Sequence, residues 1–383
     1  MFFLKKIYLL IMSAIFFPLT LMKRNANKWI FYSKFGYKDS TRIIFEKSVD
    51  DGLDAYYFFD DLPPLNVKKC YSLRFVRIGT WRYFQIMSRG QVVFLTHGLG
   101  VLSFLSYRTK IIQLWHGVPI KKILLDSSFD CTKSEIIWIN NILIRLYRKR
   151  INMYDYILSP GGLCSKYFSS AFGVPIERIL TLGSPRHEVM KVTSFSKIAE
   201  SNVINVLYLP TWRNDFSKTL DVVSSLNDSA LNKMLEANNI VINIRPHPYD
   251  MDRFSKDNLF VNNKNFKILT GDFDITSEFN MFDAFISDYS SVVFDLAYVN
   301  SKILFYVPDY DDYIKEREVY TNICDIAGDS FASDIGSLIF LLEKIFVKNE
   351  NLTNNIKKIG LVDVKSNQTK NIINFALSVS KQA

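Results

Sequence analysis

Residues 285–309, FISDYSSVVFDLAYVNSKILFYVPD, carry the pattern that decides the fold. Two short apolar runs, 284–287 and 303–307, flank a stretch of helical character. Neither run alternates between polar and apolar residues, which is typical of strands buried on both faces of a parallel sheet. A strand, a helix and a second strand in this order predict a βαβ unit.

Similar runs occur throughout the chain and predict an α/β protein built from such units. They lie at 29–33, 92–96, 111–115, 156–159, 179–182, 203–209, 240–245 and 267–270. The pattern breaks near 187–202, where a polar stretch precedes a new strand, and 383 residues are enough for about two domains. We therefore expect two doubly wound, Rossmann-like domains, 23–190 and 191–383, with the ligand in a crevice at the carboxyl ends of the strands.

The first 22 residues form a separate hydrophobic segment. Residues 7–22 are mostly apolar, and Lys5-Lys6 and Lys23-Arg24 flank them. A spanning helix needs about 20 apolar residues, and Pro18 interrupts this run. The basic flanks favour a segment that lies in the interface of an anionic membrane, with a spanning helix and a core helix as alternatives.

The charge of the chain is unevenly distributed. Residues 1–150 hold 24 Lys and Arg against 10 Asp and Glu, whereas residues 151–383 hold 23 against 28. The basic half predicts either an anionic partner, for which nucleic acid, an anionic membrane and a phosphorylated lipid are the candidates, or a charge that serves solubility alone. The four cysteines form no CxxC pair, which argues against a zinc site and against a disulfide scaffold.

Histidine marks the predicted site. All four histidines follow an apolar run or lie in a turn marked by Gly or Pro: His97 in FLTHG, His116 in QLWHG, His187 in GSPRH and His247 in IRPHP. Catalytic and binding groups of α/β folds concentrate at such positions. We expect His97 to be structural, although it could also line the side of the site that an acceptor substrate would occupy.

Two of these turns suit phosphoryl chemistry. In the first, a neutral His116 can take a proton from a hydroxyl, Gly117 permits a tight turn, and Lys121 follows as a supporting phosphate contact or an exposed lysine. In the second, Arg245 beside His247 offers a planar fork for phosphate, or a buried partner for a carboxylate.

Polar residues also follow two strands of the second half. Asp288, Ser290 and Ser291 precede the predicted helix and form either an anion site or a simple N-cap. In LYLPTWRND, residues 207–215, a hydroxyl, an aromatic ring and a guanidinium suit a nucleotide, with a surface turn as the alternative. These are Thr211, Trp212 and Arg213.

Two D-x-D sequences raise the question of a metal. Residues 272–274 and 309–311 match this short pattern, which is typical of metal and nucleotide sites in one glycosyltransferase architecture. Three residues carry little specificity, and Asp274 fits a helix cap. We therefore predict no metal site.

Five motifs in register resemble the CDP-glycerol glycerophosphotransferase family, which includes teichoic acid primases and polymerases and related capsule enzymes. They are QLWHGVPIKK, LGSPRHEVM, LYLPTWRND, IRPHP and the segment 285–309, and the likeness covers roughly residues 23–320. The resemblance implies a GT-B fold, in which two Rossmann-like domains face each other across a cleft. The N-terminal domain would be on the acceptor side and the C-terminal domain would bind the donor.

The resemblance also implies the reaction. An alditol phosphate, usually glycerol phosphate, passes from a CDP-activated donor to a lipid-pyrophosphate-linked saccharide or polymer at the cytoplasmic face of the cell membrane. CMP leaves, and neither a metal nor another cofactor is needed. By family position, His116 is the base, His247 is the second essential histidine near the donor pyrophosphate, and Asp288, Ser290 and Ser291 lie at the donor phosphate. Arg186 of the GSPRH motif is a supporting residue.

The chain departs from the family pattern after the 303–308 strand, where an R-G-F-Y-like segment is common. Here Arg317 has no glycine after it, which leaves the alditol open. The length favours a single-transfer enzyme over a processive polymerase. A GT-B glycosyltransferase that uses a nucleotide sugar is the main alternative. A non-catalytic protein that binds nucleic acid or anionic lipid is the other, and no nucleic-acid motif supports it.

Overall fold

A computed structural model of the chain describes most of its length. The described residues are 2–22, 28–60, 63, 67–98, 104–131, 134, 136–193, 202–247, 249–254, 256, 259–260, 263–269, 275–298, 302–363 and 365–380. They form two compact units. Unit 1 contains residues 1–116, 131–188 and 363–383, and unit 2 contains residues 117–130 and 189–362.

Each unit is built on a sheet of short strands. The strands of unit 1 are β1 Lys28–Tyr32, β2 Asp54–Phe59, β3 Phe75–Arg77, β4 Val92–Leu95, β5 Lys110–Gln113, β6 Tyr156–Leu158 and β7 Ile179–Leu180. Those of unit 2 are β8 Ile204–Leu209, β9 Ile240–Ile244, β10 Phe266–Ile268, β11 Ala284–Ser287, β12 Ile303–Tyr306 and β13 Phe331–Ala332.

Helices connect these strands. They are α1 Phe2–Phe16, α2 Asp39–Asp50, α3 Lys69–Ser72, α4 Trp81–Arg89, α5 Ser128–Cys131, α6 Ile137–Ile151, α7 Gly162–Phe172, α8 Pro185–Thr193, α9 Phe216–Ser224, α10 Ser229–Ala237, α11 Met251–Phe254, α12 Ile275–Glu278, α13 Val292–Tyr298, α14 Tyr310–Glu316, α15 Ile323–Ala327, α16 Ile335–Phe346 and α17 Gln368–Ser380.

The two sheets share one topology. Among the described residues, the strand order is β3-β2-β1-β4-β5-β6-β7 in unit 1 and β10-β9-β8-β11-β12-β13 in unit 2. Every strand pair is parallel. This is the order of the Rossmann fold, so the predicted α/β class with two doubly wound domains is confirmed. In each sheet the order reverses beside its first strand, between β1 and β4 and between β8 and β11.

The strands form as the apolar runs predict. All ten predicted strands are present within one or two residues at each end, and their side chains are almost entirely buried. The sequence reading missed β2, β3 and β13, which lie at or next to a sheet edge. Strands at an edge are short and have fewer apolar neighbours, so their sequences carry a weaker signal.

The units differ from the predicted domains in two segments. Residues 117–130 belong to unit 2 although they lie between two stretches of unit 1, and residues 363–383 return to unit 1. The assignment of 363–383 to the second domain is therefore corrected. Its physical reason is the apolar face of α17, because Ile372, Ile373 and Ala376 are buried in the core around Trp29 and Phe31. The chain leaves unit 1 between Glu188 and Val189, and residues 194–201 of the predicted seam lie outside the described residues.

The N-terminal segment packs with one face and exposes the other. Phe16 lies 4.5 Å from the ring of Trp81 and 5.3 Å from that of Phe84, which places this face of α1 on α4. The opposite face carries exposed apolar side chains, namely Ile7, Leu10, Ile11 and Ile15. None of the helices in the described part of the chain is long and apolar enough to cross a membrane.

Candidate functional site

His116 follows β5 and is held by the backbone of the neighbouring strand β4. Its Nδ1 lies 3.0 Å from the carbonyl oxygen of Thr96. A carbonyl oxygen only accepts, so Nδ1 carries the proton and Nε2 keeps its lone pair. Surrounding protein atoms lower the pKa of His116, although part of the ring is open to solvent. The imidazole therefore has the tautomer and the charge of a general base.

The turn that presents His116 is strained. Trp115 adopts a φ of 56°, which bulky residues rarely adopt, and Gly117 adopts a φ of 156°. The Trp115 ring lies 4.3 Å from that of His116 and 5.2 Å from that of Phe172 on α7. Packing against α7 therefore holds the turn in its strained conformation.

A second histidine packs flat against the first. The ring of His97 lies 4.4 Å from the ring of His116, with an interplanar angle of 7°. Burial, with His116 and Lys34 nearby, lowers the pKa of His97 to about 3. At neutral pH the two rings form an uncharged stack at the carboxyl ends of β4 and β5.

An ion pair lies close to the His116 ring. Asp39 at the start of α2 lies 3.6 Å from Arg186, which opens α8. The surrounding protein atoms and Arg186 lower the pKa of His116, whereas Asp39 raises it, and the lowering effects prevail. The structure thus brings together two of the predicted site residues of unit 1, His116 and Arg186.

In unit 2, a buried carboxylate organises the turn after β8. Asp288, which follows β11, accepts hydrogen bonds from the backbone N of Thr211 at 2.9 Å and from its Oγ1 at 2.5 Å. It also lies 3.1 Å from Arg213 Nη2. Asp288 is fully buried. The structure therefore gives it a role in holding this turn, and its carboxylate faces protein donors.

Arg213 is also committed to contacts inside unit 2. Its Nε donates to Asp309 at 2.6 Å, its Nη2 to the same carboxylate at 3.0 Å, and its Nη1 to the carbonyl of Thr211 at 2.7 Å. Nearby carboxylates raise the pKa of Arg213 and keep it charged. Of the two D-x-D sequences, Asp309 is thus an ion-pair partner, and residues 272–274 lie outside the described residues.

His247 follows β9 and is neutral at pH 7. Its Nδ1 accepts a hydrogen bond from the backbone N of Tyr249 at 3.3 Å, so the proton is on Nε2. Burial and the nearby Lys121 lower the pKa of His247 to about 4. The ring can therefore donate a hydrogen bond through Nε2–H without a charge of its own. Arg245 donates from Nη1 to the carbonyl of Leu269 at 2.9 Å, which ties the ends of β9 and β10 together.

The remaining predicted residues of unit 2 lie at strand ends. Trp212 packs edge-on against the exposed ring of Tyr249 at 5.9 Å, and Tyr249 lies 5.1 Å from His247. Ser290 Oγ accepts a hydrogen bond from the backbone N of Val292 at 3.4 Å, as the N-cap alternative for this residue predicts. Ser291 lies next to it in sequence, directly before α13.

Residues 117–130 bring Lys121 into unit 2. Lys121 pairs with Val319 in an antiparallel bridge. Glu318 then accepts from Lys122 at 3.2 Å and from the backbone N of Ser128 at 2.9 Å, which fixes the segment. Burial lowers the pKa of Lys121 to about 8, and Asp288 stabilises its charged form. Lys121 is therefore a cation close to both His247 and Asp288.

Several of the predicted site residues lie at the positions where α/β folds usually bind ligands. His97 follows β4, and Thr211 and Asp288 follow β8 and β11, so each set lies where the strand order of its sheet reverses. Open α/β sheets bind ligands at this point. Among the described residues, no group of three or more His, Cys, Asp or Glu side chains could hold a metal ion. Independence of a metal stays a prediction.

Sequence reasoning missed several residues of these clusters. Thr96, Asp39, Glu318 and Tyr249 each act through a contact that is distant in the chain or made by the backbone. Two of them had a signal, because Thr96 lies inside the FLTHG motif and Tyr249 directly follows the IRPHP turn.

Sequence comparisons place the chain among known proteins. A sequence model of the family described as CDP-Glycerol:Poly(glycerophosphate) glycerophosphotransferase matches residues 15–368. The chain is 26% identical over 339 residues to the teichoic acid glycerol-phosphate transferase of Staphylococcus aureus, which covers 79% of this chain and 80% of that protein. It is 26% identical to a teichoic acid poly(glycerol phosphate) polymerase of Staphylococcus epidermidis, but it spans only 32% of that protein's length.

Two solved structures have a similar fold. The wall teichoic acid polymerase TagF matches with a TM-score of 0.74 at 21% identity, over 97% of this chain and 94% of that chain. A UDP-GlcNAc 2-epimerase from Methanocaldococcus jannaschii matches with a TM-score of 0.53 at 13% identity, over 91% and 98%. At these identities the likeness establishes the fold alone.

Proposed function

The chain belongs to the CDP-glycerol:poly(glycerophosphate) glycerophosphotransferase family, and from this membership we propose that it transfers glycerol phosphate, or another alditol phosphate, from a CDP-activated donor to a lipid-pyrophosphate-linked saccharide or polymer. The product would serve teichoic acid or capsule synthesis. The observation that carries the proposal is the tautomer of His116, because its Nδ1–H on Thr96 leaves Nε2 ready to take a proton.

The chemical step is an in-line displacement at phosphorus. Nε2 of His116 takes the proton of the acceptor hydroxyl, whose oxygen attacks the β-phosphorus of the donor. The bond from that phosphorus to the oxygen of CMP breaks as the new phosphodiester bond forms, and CMP leaves with the electron pair. Phosphoryl transfer depends mainly on positioning and on stabilisation of charge.

Unit 2 offers groups that suit the donor. Lys121 provides a positive charge, and His247 provides a neutral Nε2–H donor a short distance away. The Trp212 and Tyr249 rings suit the flat nucleobase. Arg213 and Asp288 act behind these groups, because their bonds to Thr211 and Asp309 shape the turn that a donor would contact.

A donor screen tests the reaction. Purified protein is incubated with CDP-glycerol, CDP-ribitol or a panel of UDP-sugars, together with a lipid-linked acceptor. We expect CMP release from a CDP-alditol, no loss of rate in EDTA, and no release by His116→Gln, which cannot accept the proton. UDP release from a sugar donor, without CMP release from any CDP-alditol, would instead establish the glycosyltransferase alternative.

Membrane association is part of the proposal, and two helices of unit 1 support it. The exposed face of α1 carries Leu10, Ile11 and Ile15. Helix α6 is a stronger candidate, because Ile137, Trp138, Ile142 and Leu146 are 79%, 65%, 46% and 59% exposed. Its last turn carries Arg148, Lys149 and Arg150. An apolar stripe beside a basic cluster suits the interface of an anionic bilayer, here the cytoplasmic face of the cell membrane.

A further inference from the structure

The ring of His97 stacks flat on the ring of His116. The two rings are 4.4 Å apart and within 7° of parallel. The ring of His97 also lies 4.6 Å from the ring of Phe35, with an interplanar angle of 82°. His97 therefore packs against a second aromatic ring as well as against the imidazole that the proposed function uses as base.

Thr96 joins the two histidines. Its Oγ1 lies 2.8 Å from His97 Nδ1, and its carbonyl oxygen accepts from His116 Nδ1 at 3.0 Å. The carbonyl oxygen of His97 in turn accepts from Gln113 Nε2 at 3.1 Å, and Gln113 Oε1 accepts from the backbone N of Trp115 at 3.0 Å. Gln113, which is buried, thus also links the turn of His97 to the turn of His116.

Charged groups near the stack come from four elements. Lys34 follows β1, Asp39 begins α2, Arg186 lies in α8, and Arg150 at the end of α6 reaches to within 3.8 Å of the position that a Cβ on Gly98 would occupy. Three of these four groups are cations, which oppose a positive charge on either ring. The local field therefore favours an uncharged stack in the resting protein.

We propose that His97 is a positioning residue for the base, in that its flat ring packs on His116, holds Nδ1 against the Thr96 carbonyl and keeps water from one ring face. This inference rests on the proposed function, because it concerns the same proton transfer. His97 takes no proton in the reaction, and its aromatic shape is what the site requires. A neutral ring of similar shape is therefore expected to replace it.

The physical consequence has a definite sign. Removal of the His97 ring lets water reach the face of His116 that His97 covers, which favours the imidazolium and raises the pKa of His116 towards its ordinary value of about 6.5. The acidic limb of the profile of kcat/KM against pH then moves to higher pH. The freed imidazole also samples unproductive orientations, so kcat falls roughly 10- to 100-fold.

The experiment compares His97→Ala with His97→Phe. We expect the Ala variant to lose kcat and to shift the acidic limb upwards, with the KM for the donor unchanged, because the donor groups lie in unit 2. The Phe variant restores the flat ring and returns both kcat and the acidic limb to near those of the unmodified chain. Leu73→Ala, which removes a 76% exposed side chain of unit 1, is the matched control and leaves both unchanged.

Three results overturn the inference. A Phe variant no better than Ala shows that a titrating or hydrogen-bonding nitrogen of His97 is required. An Ala variant with unchanged kcat and pH profile shows that the ring is dispensable. A rise in donor KM without loss of kcat assigns His97 to donor binding.

A readout that does not need turnover separates this inference from the proposed reaction. The chain has four histidines, so the imidazole Cε1 signals of ¹³C-labelled protein can be assigned with single variants and titrated by NMR. The inference predicts that the His116 signal titrates at higher pH in His97→Ala than in His97→Phe. If this shift is seen while no CDP-alditol is consumed, the positioning role stands and the proposed reaction fails.

Discussion

The imidazole of His116 is oriented by a backbone carbonyl rather than by a carboxylate. The Thr96 carbonyl accepts from Nδ1 and sets the tautomer, but it adds no negative charge that would favour the imidazolium. His247 shows the opposite arrangement, because its Nδ1 accepts from a backbone N–H and its Nε2 carries the proton. The Nε2 atoms of the two histidines thus differ in what they offer: that of His116 has a free lone pair and that of His247 carries a proton.

Because Nε2 of His247 carries a proton, we expect the protein to tolerate glutamine at this position better than alanine. The side-chain amide of Gln places an N–H close to the Nε2 position, whereas Ala removes the donor. We expect His247→Ala to lower kcat/KM by a factor of about 10² to 10³, because one preorganised donor contributes about that much, and His247→Gln to lower it less because its amide keeps an N–H. Steady-state kinetics with the active CDP-alditol measure both values, and thermal melting checks the fold. Equal losses in the two variants would show that the Nε2–H donor is not what the reaction requires of His247.

At the scale of single elements, α1 and α6 expose apolar side chains in two different ways. Helix α1 packs one face on α4 and leaves the other face open. In the described residues of α6, only Ile151 is buried, so almost the whole helix stands clear of the core. Packing against the described residues does not explain its apolar stripe, whereas the proposed lipid interface would.

Substitution of the α6 stripe is expected to weaken membrane binding. In Trp138→Ser/Ile142→Ser/Leu146→Ser, three exposed apolar groups are lost while the core is untouched. We expect this variant to sediment less with vesicles that contain phosphatidylglycerol, and binding by the unmodified chain to fall as salt increases.

The matched control changes Met281, Phe340 and Val347 of unit 2 to Ser, since these side chains are 53%, 49% and 54% exposed. We expect the control to bind vesicles like the unmodified chain. Equal binding by the α6 variant would move the anchor to α1, where Leu10→Ser/Ile11→Ser/Ile15→Ser tests it. A change of oligomeric state in the α6 variant would instead identify the stripe as a contact between copies of the chain.

At the scale of the whole molecule, the chain passes between its two units four times. Residues 117–130 leave unit 1 directly after His116 and contribute Lys121 to unit 2, and α17 returns to complete the core of unit 1. The predicted base and a predicted phosphate contact are thus five residues apart in sequence but belong to different units. Unit 1 needs a segment from the far end of the chain, so neither unit is one continuous stretch of sequence.

The return of α17 predicts that its apolar face stabilises unit 1. Ile372 is fully buried beside the strands of the first sheet, so Ile372→Ala leaves a cavity and is expected to lower the free energy of unfolding of unit 1 by about 2–5 kcal/mol. Lys370 lies on the exposed face of the same helix, and Lys370→Ala should change this free energy by less than about 0.5 kcal/mol. Urea unfolding measures both. An Ile372→Ala protein as stable as the control would show that α17 does not belong to this core.

Much of the architecture follows from local patterns. Runs of apolar residues at strand length predict ten of the strands, because a strand buried on both faces leaves no place for polar side chains. The motifs around His116 and His247 are visible for a similar reason, since Gly and Pro punctuate the turns that present them. By contrast, the sequence reading treated Arg213 and Asp288 as ligand contacts, and the structure shows them bonded to each other and to Thr211 and Asp309. The direction in which a charged side chain points depends on neighbours that are distant in the chain.

The sequence by itself therefore determined the fold class, the family and the turns that carry the polar residues, because these depend on spacing along the chain. Only the tertiary structure decided the tautomers of the two histidines, the stacking of His97 on His116, the internal ion pairs of Arg213 and the return of α17 to unit 1. Each of these depends on a hydrogen bond or a packing contact between residues brought together by the parallel sheets. Such contacts leave no periodic signal in the sequence, since either partner alone is compatible with many other surroundings.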